Sequence, residues 1–394
     1  MTQKSYHFGF VCNEYPVISS NGGIGSFTQT LGEKLVAHGH RVTVFGVYKH
    51  LTKKIRRDIN RVQVIAVPYI DIPRGDWEFN RWRLMRLIKA EHRRNKLSLL
   101  EVPDYQGWLR HSSIKIPKII RIHSPQKVGL DPLVDPKNLP RSIRSEEESL
   151  KHADFICAVG TSVEKAARQT YLNALNSETP INVIYNGIDT DTYQPAEGER
   201  EKNLNVVFAG RLTEKKGVLE LVKAWPQIAS KFPSAKLILA GRDSEYGDSG
   251  SMIDELKKLL PDAVRESLVH TGFLDSAKIL SLFQNATLCI FPSHREAFSV
   301  VILEAMATGK PVIYSTIGPG YEIIEHGKTG LLCDPHSPDD IAKQVDQLLN
   351  NRSLRDVIGM KAREHVVANF SLDHIVGKNL EYFISCINDY GMKG

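Results

Sequence analysis

Residues 288–314 read LCIFPSHREAFSVVILEAMATGKPVIY. Leu288–Phe291 is a short unbroken apolar run, the mark of a strand buried on both faces. A polar loop follows, a helix opens near Phe298 and runs over Ser299–Ala307, and Pro311–Tyr314 is a second apolar run. Strand, loop, helix and strand in this order predict a parallel sheet covered by helices. The free amides of the helix's first turn, with its dipole, suit phosphate. Glu296 sits in the loop before the helix and Glu304 two turns into it. Carboxylates at these places can take the hydroxyls of a sugar or ribose. The spacing alone is weak, and the bland alternative makes Glu296 a helix-end charge and Glu304 a surface residue.

The same alternation spreads over the chain. Before the seam, strands are expected at Tyr6–Cys12, Arg41–Phe45, Val62–Val67, Leu97–Val102, Ile119–His123, Phe155–Val159 and Ile181–Ile184, with helices such as Phe27–Ala37 and Ser162–Leu172. After it come strands at Asn205–Ala209, Lys236–Ala240 and Val269–Thr271, and helices at Val218–Lys231, Met252–Leu260, Ala277–Phe283 and Asp339–Leu349. At 394 residues two cores are expected. The turn-rich YNGIDTDTYQP and the charged EGEREKN mark the seam. The expected division is 1–185, 186–370 and a last helix in 371–394. Ligands of such sheets bind beyond the strands' carboxyl ends, here in a cleft between the two domains.

Three further places carry candidate chemistry. In FAGRLTEKKGV (208–218), Arg211 and Lys216 follow a strand and precede a helix, where two cations can hold a diphosphate; the alternative is an ordinary surface loop. In NGGIGS (21–26), read as a loop between the first strand and first helix, Gly22, Gly23 and Gly25 let backbone amides approach a ligand, but a plain turn explains them nearly as well. His123 ends a strand in KIIRIHSP and is a core residue, a base or a hydroxyl-orienting group.

Composition bounds the rest. The chain is 42% apolar and 24% charged, as ordinary globular proteins are. The N-terminal apolar stretch is too short for a signal peptide, and no apolar run is long enough to span a bilayer. Five scattered cysteines without a C-x-x-C pair fit neither a disulfide framework nor a zinc site, so a reducing, cytoplasmic setting is expected. The net charge of +6 divides into +11 over residues 1–185 and −5 over the remainder, and Lys49–Lys96 holds 14 basic against 5 acidic side chains. A solvated face explains this first, attraction to anionic lipid second. Nucleic acid comes last, for want of interleaved aromatic platforms.

Taken together, these stretches resemble glycosyltransferase family 4, retaining enzymes of the GT-B fold, with two Rossmann-like α/β domains facing a central cleft. GGIGSFTQTLGEKLVAHGHRVTVF, NVIYNGID, FAGRLTEKKG, LILAGR and residues 270–313 carry the resemblance across nearly the whole chain. It implies that Glu296 contacts the donor sugar and Glu304 the ribose. Arg211 and Lys216 would bind the diphosphate, helped by amides around Phe298, Ser299 and Val300. Gly272 and Phe273 would line the base pocket, and His123 would lie beside the transferred sugar. The glycines would close over the diphosphate and acceptor side, and the last helix would return to the first domain. Ser299 replaces a glycine common in the family, and Asp104 and Tyr105 in EVPDYQGW have no assigned role.

The resemblance implies a UDP- or GDP-sugar as donor, a glycan, lipid-linked or small-molecule acceptor, and no essential cofactor or metal. Asp189-Thr190-Asp191 matches a metal-holding D-x-D only formally and reads as a turn. The rival readings are a glycosidase using Glu296 and Glu304 as its carboxyl pair, for which the Arg/Lys motif has no purpose, and a non-catalytic nucleotide-sugar or glycan-binding module.

Overall fold

The structure, a computed structural model, describes residues 4–19, 22–125, 141–198 and 204–392. Its contacts group into two units: residues 1–185 with 375–394, and residues 186–374. Asn21 of the glycine stretch and residues 199–203 of the charged seam lie outside the described residues.

The first unit runs β1 (His7–Val11), α1 (Gly23–Ala37), β2 (Arg41–Tyr48), β3 (Ile55–Ile59), β4 (Val62–Pro68), α2 (Asp76–Arg94), β5 (Leu99–Pro103), β6 (Lys118–Ile122), α3 (Arg141–Lys151), β7 (Phe155–Ala158), α4 (Thr161–Thr170) and β8 (Asn182–Val183). The strands pair in the order β3-β4-β2-β1-β5-β6-β7-β8. All pairs are parallel except β3 with β4, whose hairpin turns through Asn60 and Arg61, both in the left-handed region. The sequence reading has no strand at β3, because its polar, exposed Arg56-Arg57-Asp58 carries no apolar run. That polarity is how an edge strand resists pairing with another chain.

The second unit runs β9 (Asn205–Ala209), α5 (Val218–Lys231), β10 (Lys236–Ala240), α6 (Met252–Lys258), α7 (Asp262–Arg265), β11 (Leu268–Gly272), α8 (Ser276–Gln284), β12 (Leu288–Phe291), α9 (Val300–Ala307), β13 (Val312–Ser315), α10 (Gly320–Ile323), β14 (Leu331–Cys333), α11 (Pro338–Asn350) and α12 (Arg352–Phe370). Its parallel sheet is ordered β11-β10-β9-β12-β13-β14. The winding direction reverses between β9 and β12, and between β1 and β5 in the first unit. Such reversals leave a crevice at the strands' carboxyl ends, where ligands of doubly wound sheets sit.

The last helix, α13 (Leu372–Met392), packs from Ile375 onward on the first unit. Phe383 meets Phe8 and Phe10, and the Tyr382 hydroxyl donates to the Ile156 carbonyl. Below it, the fully buried Arg121 makes a two-pronged bond to Glu101, at 2.8 and 2.9 Å, and donates to Asn379 at 2.5 Å. Removing one partner of such a pair strands the other charge away from water. Arg121→Met is therefore expected to cost the first unit about 3–5 kcal/mol. Urea unfolding followed by the emission of Trp77, Trp82 and Trp108 checks this, with Trp225 reporting the second unit.

Candidate functional site

Two glycines bring the second unit's loops together. Gly217 has φ +69, and a Cβ there would lie 1.8 Å from the Pro292 carbonyl oxygen. The loop after β9 thus presses onto the loop after β12. The Lys215 carbonyl then accepts the amides of His294 (3.0 Å) and Arg295 (3.3 Å). Gly318, in the loop after β13 and also at positive φ, would place a Cβ 2.8 Å from the Glu296 carbonyl oxygen. Three strand-end loops converge on Glu296, and its carboxylate forms an ion pair with the Lys216 ammonium. Arg211 stands exposed on the first of these loops.

Helix α9 opens at Val300 with Ser299 as N-cap and no side-chain cap bond. Elsewhere in this unit Ser251, Asp275, Ser337 and Asn351 cap the helix that follows them with a side-chain oxygen, while Gly217, Pro261 and Pro319, like Ser299, do not. The Ser299 side chain makes no such bond to α9's leading amides, which follow Phe298, a buried anchor packed on Phe370. A helix end without a side-chain acceptor, beside a lysine and an arginine loop, is chemically fit for a phosphate.

Glu304 lies half-buried on α9. Burial pushes its carboxyl up to about 7, and a hydrogen bond from Tyr193 pulls the other way. Gly272 (φ +69) closes β11, and its carbonyl accepts the Gly241 amide at 2.9 Å. Next to it Phe273 stands 65% exposed, its ring covered at 4.8 Å by the Arg242 guanidinium. An aromatic left so open at a strand's end is a surface waiting for a flat partner. The sequence reading has Phe273 but not Arg242, whose place opposite it depends on the β10–β11 pairing.

In the first unit the glycines stand differently from the loop expected of them. α1 begins at Gly23, so Gly23 and Gly25 lie in its first turn and Gly22 is its N-cap. The cause is Glu14, whose carboxylate accepts the Gly25 amide at 3.0 Å. A Cβ on Gly22 would meet that carboxylate at 2.2 Å, and one on Gly25 the Glu14 carbonyl at 1.9 Å. Two of the three glycines make room for a residue of the chain itself; around Gly23 the space is open.

His123 follows β6, half-buried, with its ring edge-on to Phe27 at 5.4 Å. Burial and the nearby Arg121 charge lower its pKa to about 3, so the imidazole is neutral and orients a hydroxyl more readily than it carries charge. Asp104, buried at the end of β5, accepts the amides of His123 (3.1 Å) and Ser124 (3.3 Å), tying one strand-end turn to the next. Its own carboxyl is pushed by burial up to about 6. Tyr105 opens the 3₁₀ turn that follows, its phenol raised by burial. Asp189 accepts the amides of Asp191 and Thr192 and the Thr192 hydroxyl, so its oxygens are used within its own turn. Among the described residues no three His, Cys, Asp or Glu side chains group to hold a metal.

Two doubly wound α/β units, one carrying an anion-fit helix end beside a lysine–glutamate pair, define the GT-B class of group-transfer enzymes. The family described as Glycosyl transferases group 1 matches residues 189–365, and Glycosyltransferase Family 4 matches residues 21–192. An uncharacterised glycosyltransferase of Methanocaldococcus jannaschii is 30% identical over 388 residues, which span 92% of this chain and 94% of that one. Among solved structures, sucrose-phosphate synthase from Thermosynechococcus elongatus superposes with TM-score 0.78 at 21% identity, over 98% and 100% of the two chains. Anabaena HepE, solved in complex with UDP and glucose, superposes with TM-score 0.73 at 19% identity, over 96% and 100%. The chain belongs to the family 4 glycosyltransferases and is a transferase enzyme of GT-B fold.

A raised carboxyl pKa means that the folded protein holds a proton that the unfolded chain releases. The stability this gives Glu304 is complete below the unfolded value, about 4.3, and lost as pH rises through about 7. The difference in unfolding midpoint between wild type and Glu304→Gln should therefore vary between pH 5 and 8. A constant difference would contradict the assignment.

Proposed function

We propose that this glycosyltransferase takes its sugar from a nucleoside-diphosphate donor and passes it, with retention at the anomeric carbon, to an acceptor hydroxyl. The observation that carries this reading is the convergence of three strand-end loops on Glu296 and Lys216 beside the uncapped start of α9. Lys216, Arg211 and the amides at Ser299 and Val300 take the diphosphate and offset the negative charge that grows as it leaves. Glu296, freed from Lys216 once phosphate replaces it, turns to the sugar hydroxyls. Glu304 holds the ribose, and Phe273 with Gly272 borders the base. In the first unit His123, neutral and fixed through its backbone to Asp104, is suited to hydrogen-bond a hydroxyl. Gly23, with free space around it, lies on the acceptor side.

The chemical step breaks the bond between the anomeric carbon and the diphosphate oxygen. The acceptor oxygen bonds to that carbon on the same face, and its proton passes to the departing phosphate oxygen. No protein base is needed, so placement and electrostatics supply the rate.

Assembly of a cell-surface polysaccharide or glycolipid at the cytoplasmic membrane surface is the setting we infer. It is supported by the outward face of α2, where Trp82 is 43% exposed beneath the Arg86 guanidinium at 4.7 Å and stacks on Phe79. Rings among cations suit an anionic lipid surface. Flotation with vesicles of anionic lipid, but not of neutral lipid, is expected; equal behaviour would remove the membrane from this reading.

A panel of UDP- and GDP-sugars, scored by thermal shift and by slow donor hydrolysis, tests the donor. Lys216→Ala should weaken nucleotide binding about tenfold or more, as expected for losing a charge-assisted contact. Glu296→Ala should mainly lower kcat. Unchanged kinetics in both variants would place the pocket elsewhere.

A further inference from the structure

Three strands of the first unit lie side by side, β1 pairing in parallel with β2 on one flank and β5 on the other. At their carboxyl ends runs a chain of hydrogen bonds whose direction is fixed from its start. The Val47 backbone amide, which can only donate, bonds the Asn13 Oδ1 at 2.9 Å. The other end of that carboxamide is therefore Nδ2, and it donates to the Gln106 Oε1 at 2.8 Å. Gln106 is thereby left with its Nε2 at the far end of the chain. Among the described residues nothing accepts the two N–H groups of that nitrogen, and the side chain is half-buried.

The backbone that carries this carboxamide is held from several sides. Gln106 has φ +68 and Gly107 φ +63, two successive left-handed residues after β5. A residue with a Cβ takes this region at a cost that its surroundings must sustain. Here the Gln106 amide donates to the Glu146 Oε1 at 3.2 Å, and its carbonyl accepts from the Arg81 Nε. Glu146 is itself fixed by the Tyr171 hydroxyl at 3.0 Å. A Cβ on Gly107 would lie 2.4 Å from the Ser145 carbonyl oxygen, so the turn is pressed against α3. A glycine at 106 would adopt the same conformation freely; what glutamine adds is the carboxamide. It stands where the sheet reverses between β1 and β5, the place at which doubly wound sheets receive ligands.

We propose that Gln106 is a ligand-binding residue of the first unit, donating through Nε2 to a hydroxyl oxygen of a sugar or other polyol acceptor. This deepens the acceptor reading given above and rests on it. A hydroxyl held through its lone pair keeps its own proton for a second partner, so a donor of fixed polarity orients it without competing for that proton.

Nitrogen-15 spectra of the whole protein follow the Gln106 side-chain NH2 pair, assigned by its loss in Gln106→Met. Methyl α-glucoside, methyl α-mannoside, methyl α-galactoside and inorganic phosphate are titrated separately. At least one glycoside should shift the pair saturably, and phosphate should not. Gln106→Met should weaken that glycoside about two- to tenfold, the size of one neutral hydrogen bond, as read on the Gly107 amide. Asn13→Asp keeps the shape of residue 13 but cannot donate, so the Gln106 carboxamide reverses and spends Nε2 on the new carboxylate. The pair should then stop responding to glycoside, which a role in packing alone would not produce.

A pair unmoved by every glycoside, moved by phosphate alone, or equally responsive in Asn13→Asp overturns the inference. UDP and GDP titrated alongside test the donor reading separately: a glycoside response without nucleotide binding sinks that reading and leaves this one standing.

Discussion

The carbonyl oxygen of Pro292 occupies the space in which residue 217 would carry a side chain. Everything proposed for the donor pocket depends on this contact, since it sets the separation of the loops after β9 and β12. With glycine at a left-handed 217, the Lys215 carbonyl reaches two amides across the gap and Lys216 reaches Glu296. Any Cβ would have to push one loop from the other, separating the cation, the carboxylate and the uncapped helix. The sheet reverses its winding at these two strands, so backbone topology and one missing methyl group together define the site.

Carboxylates of the chain itself satisfy two of its anion-seeking groups. Glu296 neutralises Lys216, and Glu14 takes the Gly25 amide at the head of α1. A charged ligand must displace the first of these, so its net gain is the difference between phosphate and carboxylate at the same ammonium. At α1 the carboxylate belongs to the packing itself: Gly22 and Gly25 could not be larger while Glu14 stays there.

Much of this was legible in the sequence, for identifiable reasons. Strands such as Leu288–Phe291 are apolar on both faces, so their runs stand out, and the helix after them follows with its two glutamates. β3 was hidden because an edge strand is polar, and Glu14 because its partner lies eleven residues on, across a turn that no periodicity reports. The start of α1 was placed four residues late at Phe27, since glycines read as loop until a carboxylate is known to cap them. Arg242 is missed on similar grounds: it meets Phe273 only when β10 and β11 are brought side by side. Asp104 appeared in the sequence as a residue without a role, and the structure gives it the task of fixing the turn that carries His123.

The claim at the centre is that a diphosphate replaces Glu296 at Lys216. A crystal structure of the protein with bound UDP or GDP measures this directly. The account predicts terminal phosphate oxygens about 3 Å from the Lys216 Nζ and from the first amides of α9, with Glu296 turned away from Lys216. A nucleotide bound elsewhere, or bound here with the Lys216–Glu296 pair intact, would contradict it.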